Sequence, residues 1–256
     1  MTMTYNIAAT NHSFSLADPI KAGAANTVPF SLFHMTLDAA NAMASKRATV
    51  LADSDLTGPG KERRLLPVFQ VAWAVLCASY IRLAEIDAAT EKREAALHQV
   101  PKLDPTHSAC AVEDAECRSV WRSMPLSERT KIMEAMGRDP EAGQRYLRLQ
   151  VAVLRAPMPV LAPHEAAWFA DQWRLSKRLG NPGEALAIDA AKDASSWSFR
   201  GHGFLQGVIA GISGWSRVEL LNWLVLDPIR IGAAAALGFG VMEVAAAKQQ
   251  AAARKA

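Results

Sequence analysis

Cysteine is the first scarcity in this sequence. Its 256 residues hold three, Cys77, Cys110 and Cys117, too few for a disulfide-stapled scaffold. Charge of one sign is also missing. The chain carries 28 basic and 25 acidic residues and a net charge of +3, so composition gives no electrostatic footprint for nucleic acid, and none is expected as a partner. Apolar and polar residues show no sustained alternation at period two, which excludes a sheet-dominated fold. The opening stretch MTMTYNIAATNHSFSLADPIK lacks the basic start and apolar run of a secretory signal, so the expected location is cytoplasmic or particle-associated. No Gly-rich loop sits between a strand and a helix, and no nucleophile, base and carboxylate share a recognisable spacing. The sequence therefore predicts no cofactor and no enzymatic activity.

What is present is helix-forming material. Half the residues are hydrophobic, enough for a substantial core, and alanine is abundant in the last third. The first 28 residues are polar, small and non-periodic, and read as an extended arm, for which a neighbouring subunit is one conceivable anchor if it is ordered. After Pro29, Leu32, Met35, Ala39, Met43 and Val50 predict one apolar helical stripe. A long helix should follow over 61–99, with Leu65, Phe69, Ala72, Leu76, Tyr80 and Leu83 on its buried face. Residues 101–107 read as a loop, and short helices are expected over 111–123 and 126–136. Three further helices are marked by a capping residue followed by proline at Asp139-Pro140, Asn181-Pro182 and Asp227-Pro228. Gly137 and Gly180 are placed as C-terminal caps, and Ser216 with Glu219 as a capping box. The expectation is an all-α fold of eight to ten helices in three parts: the arm 1–28, a multi-helix bundle 29–198, and an apolar Gly/Ala-rich helical hairpin 199–256 with a polar tail.

Two uncharged runs, 65–81 and 201–216, raise the question of a membrane. A span needs about 20 predominantly apolar residues. The first run contains Pro67, Gln70 and Ser79, and the second contains His202, Gln206 and five glycines. Charges nearby, Arg217, Glu219, Asp227, Arg230 and Glu243, would each cost about 2.5–3.5 kcal/mol near a bilayer centre. Buried core helices are the preferred reading, and membrane association is the alternative.

The candidate sites are few. Gly201, His202 and Gly203 read as a break between helices. Beyond it Gly203, Gly207 and Gly211 recur every fourth residue, as do Gly232, Ala236 and Gly240. Two such small-residue stripes would let helix backbones meet closely, within the chain or between subunits. His107, Cys110 and Cys117 offer zinc-compatible donors, but their spacing is not a standard knuckle and a fourth ligand is missing. No bound metal is expected there. A Cys110–Cys117 disulfide is conceivable only in an oxidising compartment. His202, beside Arg200, could act as a base or bind an anion, but a helix-terminal histidine is the plainer reading. Arg145 and Arg148 have helix-turn-helix-like spacing, offset by Glu128, Glu134, Asp139 and Glu141.

These features predict a non-enzymatic helical protein that works by assembly, as a homo-oligomer or as a component of a larger particle of phage or mobile-element type. The alternatives are a membrane-inserting or pore-forming protein and a helical enzyme or metalloprotein.

Overall fold

A computed structural model describes residues 2–104, 106–138, 145–156 and 160–254. The Asp139-Pro140 start and Glu141 lie outside them. The chain is 73% helical, an all-α multi-helix fold with nine α-helices among the described residues and one two-stranded sheet. It divides into two compact units. The first comprises Met1–Glu91 with Ile188–Ala256, and the second is Lys92–Ala187. This division does not follow the expected boundary at 198/199.

The arm is not free. β1 (Thr2–Asn6) and β2 (Ser13–Ala17) pair antiparallel, Thr2 opposite Ala17 and Asn6 opposite Ser13. The pleat turns Tyr5, Phe14 and Leu16 to one side, where they join the core of the first unit with Ile7. Apolar residues two apart produce this alternation. The segment is pinned by its own chain.

α1 (Val28–Ala52) starts at Thr27, whose hydroxyl accepts from Phe30 N at 3.3 Å, with Pro29 in the first turn. Its buried face runs through Phe33, Thr36, Leu37, Ala40, Met43, Ala44 and Val50. The expected stripe was centred about a residue away. Met35 is exposed, and Phe33, whose ring packs with Tyr5 and Trp197 at 5.0 Å each, sets the face. α2 (Gly58–Leu97) buries every residue of its expected stripe, from Leu65 to Leu83.

Within the second unit lie α3 (Ser108–Ser123), α4 (Leu126–Arg138), α5 (Leu147–Leu154) and α6 (Pro163–Gly180). They gather on Trp121, Met136, Val153 and Phe169. Gly137 falls inside α4 and caps nothing, whereas α6 does end at Gly180.

α7 (Pro182–Ser213) starts at the expected Asn181-Pro182 and then runs unbroken through Gly201, His202 and Gly203. The predicted break is absent because Gly201 serves contact. A Cβ there would stand 2.6 Å and 2.7 Å from two Phe33 ring carbons and 3.1 Å from Leu16. α8 (Arg217–Leu224) opens with the Ser216–Glu219 capping box, Ser216 N donating to Glu219 at 2.7 Å.

The C-terminal hairpin resolves into shorter pieces. Asp227-Pro228 leads to a single 3-10 turn, Arg230–Ala233. Arg230 is drawn back onto Asp227 at 2.9 Å and over the Trp223 ring at 4.1 Å. Gly238, with φ +81°, stops helical continuation. α9 (Val241–Ala253) begins afresh, with Gly240 N donating to Glu243 at 2.7 Å.

Candidate functional site

The two predicted small-residue stripes have different fates. Gly203, Gly207 and Gly211 lie on one exposed face of α7, and a Cβ added at any of them meets no atom within 4 Å. Among the described residues they make no close helix contact. Gly232, Ala236 and Gly240 do not share a helical face, since they fall on a 3-10 turn, a turn and the cap before α9. Only Gly232 is tight, with Ile81 at 3.3 Å. The surviving feature is therefore one ridge. It carries no Asp, Glu, Lys or Arg from 201 to 216. Phe204 flanks it, 49% exposed, and stacks on Phe14 with centroids 5.4 Å apart.

The opposite side of the same helix holds His202, which is fully buried and far from any helix end. Its Nδ1 lies 2.8 Å from the Ser198 carbonyl, which can only accept. That partner assigns the proton to Nδ1 and leaves Nε2 as an acceptor. Thr36 Oγ1 stands 3.1 Å from Nε2. The Thr36 hydroxyl has one proton for two acceptors, Nε2 and the Leu32 carbonyl at 3.0 Å, and Ser79 Oγ is 3.0 Å away. Ser198 Oγ donates to the Pro29 carbonyl at 2.7 Å. Burial pushes the His202 pKa below its ordinary value, partly offset by the Ser198 and Leu32 carbonyls. The cluster ties α1, α2 and α7 together. It contains no carboxylate, and Thr36, Ser79, Ser198 and His202 are all at most 1% exposed. Neither sequence reading of His202, anion binder and base or helix-end residue, fits this position.

The donors His107, Cys110 and Cys117 are not gathered. His107 pairs with Asp104 at 3.0 Å in the loop before α3. Cys110 and Cys117 lie on α3, seven residues and so about 10 Å apart along the axis, beyond disulfide reach. Among the described residues no group of three His, Cys, Asp or Glu side chains is placed to hold a metal ion. Cys77 is buried, and desolvation pushes its thiol pKa up to about 12.

The same stretch hides a charge centre that motif reading missed. Asp114 is fully buried on α3 and faces three arginines. Arg155 Nε donates to its Oδ2, Arg148 Nη2 lies 3.2 Å from Oδ1, and Arg118 Nη1 stands 3.8 Å from Oδ2. The guanidiniums also reach backbone carbonyls of Ala152, Cys110 and Pro101. The sequence signal was the i,i+4 pair Asp114–Arg118; Arg148 and Arg155 come from α5 and its C-terminal cap. Arg148, singled out by its helix-turn-helix-like spacing, is spent on Asp114 and on Glu113 at 2.6 Å. This ion cluster organises the second unit.

In comparisons with known proteins, no family model, curated protein or solved structure matches this chain.

Proposed function

We propose that the protein is a non-enzymatic structural component that acts by assembly, joining copies of itself through the α7 ridge. One observation carries this reading: Gly203, Gly207 and Gly211 share an exposed, charge-free face with open space above each glycine. Each interior glycine costs a helix about 1 kcal/mol relative to alanine. Among the described residues nothing recovers that cost at these three positions. A second ridge of the same kind would, because two glycine faces let backbones approach closely. An uncharged ridge also demands an uncharged partner, and its own copy supplies one in an isologous contact. A component of a larger particle, of phage or mobile-element type, is the context that such a device suits.

A membrane-inserting role is the second reading, favoured by a separate observation. α2 is long and apolar enough to cross a bilayer, with mean hydropathy 1.5 over an 18-residue window of which 44% is buried. Light scattering with and without detergent tests both readings. The assembly reading expects an oligomer in plain buffer and, for Gly207→Leu, a monomer that keeps its helical circular dichroism and its cooperative unfolding. A monomeric wild type in buffer overturns it. Dye release from lipid vesicles by that monomer would put the membrane reading in its place.

A further inference from the structure

On the first unit, α2 and α7 frame an open cleft of about 430 Å³. One wall is α2, with Asp87, Thr90 and Glu91. The other is α7, with Lys192, Ser195, Ser196, Phe199 and Arg200. The walls thus carry opposite charge. Among the described residues no ion pair within 4 Å joins Asp87 or Glu91 to Arg200. Ser195 is the odd member. It is 2% exposed, and its Oγ has no hydrogen-bond partner. A helical serine ordinarily returns its proton to a carbonyl one turn back, as Thr90 does to Ile86 at 2.9 Å in the facing wall. A buried hydroxyl left without a partner costs about 1–3 kcal/mol. Here that hydroxyl belongs to a residue lining the cleft.

We propose that this cleft binds a small linear zwitterion, an ω-amino acid in chemical class, with its ammonium end on Asp87 and Glu91 and its carboxylate end on Arg200. The volume lies within the range of small-ligand sites. Separated charges are required because the acidic and basic groups stand on different helices. An anion alone would leave two carboxylates facing it, and a cation alone would face Arg200. Phe199 supplies an apolar surface for the methylenes between the two ends. Arg200 stands one helical turn before Gly203 on α7, so the cleft adjoins the glycine ridge, but the two proposals have separate tests.

Isothermal titration with δ-aminovalerate tests it, with valerate and pentylamine as single-charge controls of the same length. The expected result is saturable binding of δ-aminovalerate and at least about tenfold weaker binding of each control. Asp87→Asn and Arg200→Gln, both surface changes, should each weaken δ-aminovalerate by about tenfold or more. Ser195→Ala should leave the unliganded protein as stable as wild type or more stable, because it removes an unsatisfied hydroxyl. Equal affinity for the zwitterion and either control overturns the proposal. So does the absence of saturation with δ-aminovalerate, or binding indifferent to both charge changes.

Discussion

Gly201 and Gly207 stand on one helix, and the same substitution should have opposite effects at the two positions. At Gly207 an added methyl meets nothing within 4 Å, so Gly207→Ala returns only the helix-propensity gain of about 1 kcal/mol. At Gly201 the methyl would lie 2.6 Å from a Phe33 ring carbon, where carbon contacts want about 3.5–4.0 Å. The ring cannot retreat: Phe33 is fully buried, with Tyr5 and Trp197 at 5.0 Å and His202 at 6.2 Å. Overpacking of this kind costs about 1–3 kcal/mol, against the same propensity gain. Gly201→Ala should therefore lower stability by up to about 2 kcal/mol while Gly207→Ala raises it by about 1. The difference between the two variants isolates the packing cost. Thermal unfolding by circular dichroism, at a dilution where wild-type mass is monomeric, reads it as opposite shifts of about 2–4 °C per kcal/mol. If both variants shift the same way by the same amount, the Phe33 contact does not constrain Gly201 and the reasoning fails.

Three further outcomes follow from the buried groups. Asp114→Ala leaves three arginines facing an emptied pocket and should cost about 3–5 kcal/mol, read as a lower urea midpoint; an unchanged midpoint would deny the ion cluster its structural role. Iodoacetamide should label Cys110 and Cys117, both partly exposed, and spare Cys77 in the native protein, because a thiol with its pKa near 12 is almost all protonated at neutral pH; mass mapping of the alkylated peptides decides. For His202 the folded pKa lies below the unfolded one, so below the ordinary value the unfolded chain binds a proton that the fold refuses. Its contribution is therefore present above about 6.5 and lost as pH falls through that value toward the folded pKa. His202→Gln should flatten this part of the stability profile, and an identical slope in both proteins would refute the assignment.

Much of the helical plan was legible because it rests on local signals. The α2 stripe follows from three- and four-residue spacing, and the α7 and α8 starts from Asn181-Pro182 and from Ser216 with Glu219. What escaped depends on contacts distant in sequence. Tyr5, Ile7, Phe14 and Leu16 alternate, but over strands so short and polar that only the core beneath them makes the pattern meaningful. The α1 face is set by Phe33, whose importance comes from Trp197 and Gly201. Gly201 looked like a helix breaker because glycine serves both for flexible backbone and for close approach, and only Phe33 above it distinguishes the two. The Asp114 cluster draws Arg148 and Arg155 from elements that no motif links. The glycine ridge was visible as a spacing, which by itself left open whether its partner lay within the chain or in another subunit.

The order in which the chain is synthesised conflicts with the order in which its pieces fit. Trp197 donates to the Ala17 carbonyl at 2.7 Å across 180 positions of sequence, and Phe33 rests over Gly201. At translation speeds of about 5–20 residues per second, β2 waits roughly 10–40 s for its seat on α7 to emerge. Lys92–Ala187 is one continuous stretch and has all its residues before Ile188 is made, so it can settle on the ribosome first. During that interval Tyr5, Phe14, Leu16 and the Leu65–Leu83 stripe have no α7 to cover them. A released chain truncated just short of Ile188 should therefore combine a structured second unit with an uncovered apolar N-terminal segment, which makes it a natural client for a chaperone.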